Sequence, residues 1–359
     1  MRLPGSAPTA ACLAAAVLAA AICAACGSSR GTTSSAPVTK TTPTTSTSST
    51  TSTTTTSSAA TATTSSESSG GTATTALPGT GKPTITVGDK NFGEQFVLGQ
   101  LYVQALRAQG FSVNINQNIG PTDVTMQALQ SGSLTVYPEY LNTFNTVVAG
   151  YHHGFRSLLD AYQGAQHYAL AHGMQVLAPT PFSDTDALAV TVAYAAQNRV
   201  RSIGDLNRLS AGITVGGPPQ FQTGSPGLPN LNIDYGFVPI GYRAMAVGDQ
   251  YTALNNGTIQ VADVNSTDGQ LDTGDYVLLR DPQRTFGWGN VVPVVSAKAV
   301  AAEGSAFTDT IQRVDDLLNT ATIRQLNYAV TIAGQDPAAV ARQFLQTHGL
   351  LTPPTPSPG

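Results

Sequence analysis

The chain has 359 residues, of which 41% are hydrophobic and only 11% charged, and its formal charge is −4 at neutral pH. Soluble domains usually carry near a quarter charged residues, so this chain holds either long uncharged low-complexity sequence or a fold with an unusually neutral surface. Arg2, Arg30, Lys40 and Glu67 are the only charged residues before position 82, leaving 14 of the 17 basic and 20 of the 21 acidic groups to the remainder; that acidic remainder lacks the basic face of a phosphate-tracking protein, and nucleic acid is not an expected partner.

Arg2 precedes an apolar run from Ala10 to Cys23, the length of a secretory h-region and short for a permanent span. Cys23-Ala24-Ala25-Cys26-Gly27 then places two small residues before a cysteine and a glycine after it, as cleavage and lipid attachment require. The motif resembles a bacterial lipobox, with Cys23 where Leu is usual. Residues 1–25 read as a signal peptide and Cys26 as the lipidated residue; an ordinary secretory cleavage nearby is the alternative. Cys12, Cys23 and Cys26 are the only cysteines, so the folded region can form neither a disulfide nor a thiolate metal site. Residues 26–81 are almost wholly Ser, Thr, Ala, Gly and Pro, the composition of a disordered tether with a reach of roughly 40 Å. Residues 353–359 read as a short disordered tail.

The folded region carries an internal echo. Ile85-Thr86-Val87-Gly88 returns as Ile213-Thr214-Val215-Gly216, each a β-branched run ending in glycine, as a buried strand entering a turn should read. About 40 residues after each comes a second match: Ala128-Leu129 through Gly132 to Val136 against Ala253-Leu254 through Gly257 to Val261. Each reads as a helix end, a glycine cap and a strand, so the chain holds two similar α/β lobes. An apolar stripe of Phe96, Val97, Leu101, Val103, Ala105 and Leu106 marks a helix over Glu94–Gln109. Alternating strands and helices imply parallel sheets, whose ligands sit beyond the carboxyl ends of the strands. Residues just after Val87, Val136, Val215 and Val261 are therefore the ones to read: Lys90 and Phe92, Glu139 and Tyr140, Phe221, and Asn265 through Asp268. Tyr140 and Asn265 fall at equivalent places in the repeat.

These stretches, with Ser183-Asp184-Thr185, Gly227-Leu228-Pro229, Tyr235-Gly236-Phe237 and Ser266-Thr267-Asp268-Gly269, resemble in order the glycine betaine/choline/osmoprotectant-binding proteins of ABC importers, the ProX/OpuAC-like family, over about residues 84–350. The resemblance implies a type II periplasmic-binding fold: two α/β lobes joined by a two-stranded hinge, with residues 82–182 and 287–352 in the first lobe and 183–286 in the second. It implies a lipid-anchored extracytoplasmic protein, a monomer, that captures a small quaternary-ammonium solute and delivers it to a membrane permease whose ATPase is a separate chain. A trimethylammonium head donates no hydrogen bond and is held by aromatic faces. By position, Tyr140 matches a ring of that cage, and Thr143 and Lys90 match its polar contacts.

Other cage positions differ. Asp186 stands where a Tyr is usual, Asn265 where an aromatic precedes Ser-Thr-Asp-Gly, and Gly289 where a ring closes the site, with Trp288 beside it as a substitute. Gly224 stands where an Arg clamps a carboxylate. The pocket expected from Tyr140, Lys90, Thr143, Asp186, Asn265, Trp288 and Phe221 is more polar than a betaine cage. Asp186 there would face a cationic ligand, Lys90 or water. The same residues leave open an envelope sensory or binding protein that kept the fold for a more polar or neutral ligand. His152, His153, His167, His172 and His348 show no metal-ligand spacing, and neither a nucleophile elbow nor a phosphate loop is present, so no enzyme activity and no cofactor are expected. A hydrolase built on Asp186 and Glu139 is the weakest reading.

Overall fold

The computed structural model describes residues 76–352. The expected signal peptide, Cys26, the linker up to residue 75 and the tail from 353 lie outside the described residues. Ten strands run in chain order: β1 Ile85–Gly88, β2 Val113–Asn116, β3 Val136–Tyr140, β4 Met174–Val176, β5 Asp186–Thr191, β6 Thr214–Gly217, β7 Gly241–Ala244, β8 Val261–Asn265, β9 Tyr276–Leu278 and β10 Val291–Ser296. They form two five-stranded sheets, ordered β2-β1-β3-β10-β4 and β7-β6-β8-β5-β9. The chain crosses between the sheets twice, from β4 to β5 and from β9 to β10.

The echo in the sequence is a register relationship. Val87 pairs with Val136 in the first sheet, and Val215 pairs with Val261 in the second, both in parallel. Each repeat glycine leaves room for an apolar residue of its own repeat: a Cβ on Gly88 would sit 2.6 Å from Leu134, and one on Gly216 would sit 2.6 Å from Ile259. Leu134 and Ile259 are themselves equivalent in the repeat.

The sheets are mixed rather than parallel throughout. β10 runs antiparallel to β3 and β4, and β5 antiparallel to β8 and β9, because each enters its sheet from a crossing and travels away from it. The central strands of both sheets are buried on both faces, as expected for strands flanked by helices. In the first lobe, helix α1 (Gly93–Ala108) packs Val97, Leu98 and Leu101 against β1 and the helices at 305–345, while Tyr137, Phe144 and Ala165 fill the other face. In the second, Leu188, Val215, Phe221 and Phe237 form one layer, and Tyr251, Leu254 and Val264 the other. Residues 77–81, expected in the linker, form a turn on the end of α1. Gly79 donates to the Gln109 carbonyl at 2.9 Å, and it lies so close to Phe111 that no side chain fits there. Among the described residues no helix is long and apolar enough to cross a membrane.

Candidate functional site

The crossings bring the carboxyl ends of the parallel strands of both sheets to one place. Val291 opens β10 opposite Tyr140 at the end of β3, and Asp186 opens β5 opposite Asn265 at the end of β8. Between them Ser183 and Asn290 form an antiparallel bridge, and Asp184 donates its N–H to the Gly289 carbonyl at 2.9 Å. A Cβ on Gly289 would sit 1.8 Å from the Asp184 carbonyl oxygen, so the backbone contact itself excludes a ring at this position. Gly224 is similarly confined, with the Gln220 carbonyl 2.6 Å from where a Cβ would stand.

On the first-lobe side, the turn after β1 delivers Lys90 and Phe92. Lys90 is not a free cation: its ammonium pairs with Glu139 Oε1 and donates to Thr122 Oγ1 at 2.9 Å, in helix α2 (Thr122–Gln130). Of the three alternatives for what Asp186 would face, a cation, Lys90 or water, this pairing removes Lys90. Glu139 is fully buried, with Oε1 also accepting the Tyr140 N–H at 2.8 Å, so its charge is neutralised inside the lobe rather than presented to a ligand. Tyr140 is only 6% exposed; its hydroxyl donates to Glu94 Oε1 at 2.8 Å, and its ring stacks on Phe92 at 6.0 Å and 26°. Phe92, 40% exposed, is thus the accessible ring of this stacked pair. Sequence reasoning quoted Phe92 in its motif and assigned it no role. Thr143 lies one turn past Tyr140, half-buried, its N–H on Asn142 Oδ1 at 2.8 Å.

Register fixes the second-lobe side. Paired residues of antiparallel strands share a face, so Asp186, Asn265 and, two residues back along β8, Asp263 lie on one face of the sheet, with Gly217 and Tyr242 alongside. Asp186 is half-buried and Asn265 exposed, while Asp263 is 3% exposed and its Oδ1 has no hydrogen-bond partner. Burial pushes the Asp186 carboxyl up to about 6. Burial, then the charges of Asp186 and Asp268, push Asp263 up to about 9. Asp184, at the crossing, is raised well above the carboxylate range by burial and by the charges of Glu94, Asp268 and Asp186. The result is a line of carboxylates from Glu94 to Asp263.

Two residues expected at the site make other contacts in the fold. Phe221 is a core ring, 3% exposed, stacked between Tyr242 at 6.4 Å and Phe286 at 6.1 Å. Its alternation with polar neighbours after Pro218-Pro219 reflects a short helix packed on the sheet, not a ligand contact. Trp288 is braced on the first lobe, its Nε1 donating to the Phe155 carbonyl at 3.2 Å, and the Arg284 guanidinium covers its ring at 3.9 Å.

Two α/β lobes, each with its strand ends turned to a double crossing and lined there by an aromatic pair and a row of carboxylates, define a hinged solute-binding protein. Residues 83–347 match the family described as the substrate-binding domain of an ABC-type glycine betaine transport system, and the chain belongs to that family. It is 32% identical over 285 residues to a glycine-betaine-binding protein of Pseudomonas aeruginosa, covering 75% of this chain and 89% of that one. It is 27% identical over 290 residues to the glycine betaine-binding protein YehZ of Escherichia coli, covering 77% and 94%. A solved glycine betaine/carnitine/choline ABC transporter structure shares the fold, with TM-score 0.70 at 21% identity over 74% of this chain and 99% of that one.

Proposed function

We propose that the protein is the extracytoplasmic receptor of an ABC importer: it captures a small organic cation between its lobes and presents it, unchanged, to a membrane permease served by a separate ATPase. The observation that carries this reading is the pairing of an accessible ring, Phe92 on Tyr140, with the carboxyl groups of Asp186 and Asp263, which form no ion pair among the described residues, where the strand ends meet. Aromatic faces and carboxylates both select positive charge. Gly224 and Gly289 leave no room for an arginine clamp or a further ring, so choline, a cation without a carboxylate, is preferred to glycine betaine. The relatives' names, which specify glycine betaine, support the solute class. Lipid attachment at Cys26 and a tether to residue 75 would hold a monomeric domain near the permease.

A thermal-shift series tests the reading, since any tight ligand stabilises the folded state by mass action. Choline and a polyamine should raise the unfolding temperature in a saturable way, and by more than carnitine or proline betaine, whose carboxylates find no clamp. A shift only with neutral aromatic solutes would sink it.

A further inference from the structure

The second lobe carries a specification that the aromatic pair does not. Asp186 and Asp263 are diagonal neighbours on one sheet face, and Asp263 is held beneath the surface with an unpartnered Oδ1. Gly217 makes the space around it: a Cβ there would meet the Asp263 Cβ at 2.8 Å and the Tyr242 hydroxyl at 2.9 Å. That hydroxyl is not available to Asp263, because it donates to the Pro218 carbonyl at 2.6 Å. Among the described residues no basic side chain forms an ion pair with either. The single ion pair among the described residues is Lys90 with Glu139, and Arg324 spends its guanidinium on the Ser266 carbonyl at 2.7 and 3.0 Å. A buried carboxylate oxygen without a donor is costly unless something supplies one. A bound cation favours the ionised pair, whose oxygens only accept hydrogen bonds, and a quaternary ammonium has none to give.

We propose that Asp186 and Asp263 form a subsite for a cation bearing at least one N–H, a tertiary, secondary or primary ammonium, and that this chain's solute is of that class rather than quaternary. The inference rests on the reading of the cleft as a cation receptor. Asp186 and its register partner Asn265 stand where the resemblance expects aromatic rings, and Asp263 lies two residues from Asn265 on the same face, so hydrogen-bond acceptors take the place of a methyl-binding surface. Phe92 and Tyr140 remain as the apolar wall for the carbon skeleton.

The test is a methylation series on one skeleton: ethanolamine, N-methylethanolamine, N,N-dimethylethanolamine and choline, titrated calorimetrically into the purified protein. Loss of the last N–H removes a hydrogen bond to a charged acceptor, so N,N-dimethylethanolamine should bind at least about tenfold more tightly than choline. Asp186→Ala should bring that ratio close to one, and Asp263→Asn should lower it; Asp186 is half-exposed, so its variant tests the subsite even where Asp263→Asn does not fold. Choline binding as tightly as its dimethyl congener, or a ratio unmoved by Asp186→Ala, overturns the subsite while the receptor function stands. Failure of every member of the series to bind overturns both.

Discussion

Asp186 and Asn265 are direct register partners across the antiparallel pair of β5 and β8. They are also two of the positions at which the sequence resemblance leads one to expect aromatic rings, and the register places both on one surface. A coordinated exchange of rings for polar groups changes what the second lobe can recognise, while the crossings that hinge the lobes are kept.

Phe92 and Tyr140 should separate under mutation. Phe92 is the accessible partner of the stack, so Phe92→Ala should weaken binding of a cationic solute by more than about tenfold, the loss of a desolvated cation–π contact of about 2 kcal/mol, while leaving the unfolding temperature of the empty protein within about 2 °C. Tyr140→Ala should lose affinity similarly and also destabilise, because it strands Glu94. Calorimetry and thermal unfolding on the same samples read both effects; an unchanged affinity in both variants removes the aromatic wall from the site.

Lys90 and Glu139 are 5% and 0% exposed and pair inside the first lobe. Lys90→Met leaves a buried carboxylate unanswered and should cost about 3 kcal/mol or more in urea unfolding, while Lys90→Met with Glu139→Leu should recover much of it. Were Lys90 mainly a ligand contact, the single variant would instead keep its stability and lose affinity.

The acidic pair sets a pH dependence with a definite sign. Asp186 and Asp263 titrate in the fold near 6 and 9, above the ordinary aspartate value of 3.8. Between those values and 3.8 the folded protein binds more protons than the unfolded chain, so this contribution to stability is fully present at low pH and is lost as pH rises through the folded values. Asp263→Asn should therefore flatten the fall in unfolding temperature from pH 5 to pH 9. A cation binds the deprotonated pair, so binding at pH 7 should release protons, read as a dependence of the calorimetric enthalpy on buffer ionisation. Proton uptake, or a fall of unchanged slope in Asp263→Asn, would contradict the assignment.

Much of this architecture is legible in the sequence because local chemistry dictates it. The β-branched runs ending in glycine announce β1 and β6, and the echo 40 residues later anticipates the Val87–Val136 and Val215–Val261 registers. The directions of β5 and β10 are not legible, since they follow from where the crossings enter each sheet, a long-range property. Lys90 and Glu139 are each marked by their motifs, but their pairing spans 49 residues of sequence. Asp263 was missed although a signal exists: Val261, Asp263 and Asn265 alternate along one strand face, and a polar residue two before a site residue shares its side of the sheet. Phe221 and Trp288 are rings marked by the sequence whose packing it does not show: the fold sets Phe221 in the core and Trp288 beneath Arg284.

The hinge makes its own prediction. Gly289 lies against the Asp184 carbonyl with no room for a methyl group, so Gly289→Ala should destabilise by about 2 kcal/mol or more, lowering the unfolding temperature by about 4 °C. A variant as stable as the parent would show that the crossings are looser than described.

Anchoring is checked in cells. The lipid-attachment motif around Cys26 predicts that Cys26→Ala is released from, or misprocessed at, the membrane, with no acyl modification by mass spectrometry. A variant that stays equally membrane-bound contradicts the anchor and leaves the binding domain untouched.

The central claim, a cleft that selects a cation without a carboxylate clamp, is tested most directly by titrating the purified protein with choline and glycine betaine side by side in the calorimeter. Choline should bind at least about tenfold more tightly, because the carboxylate of glycine betaine would meet Asp186 and Asp263 with no arginine to hold it. Glycine betaine binding as tightly as choline, or more tightly, contradicts the account.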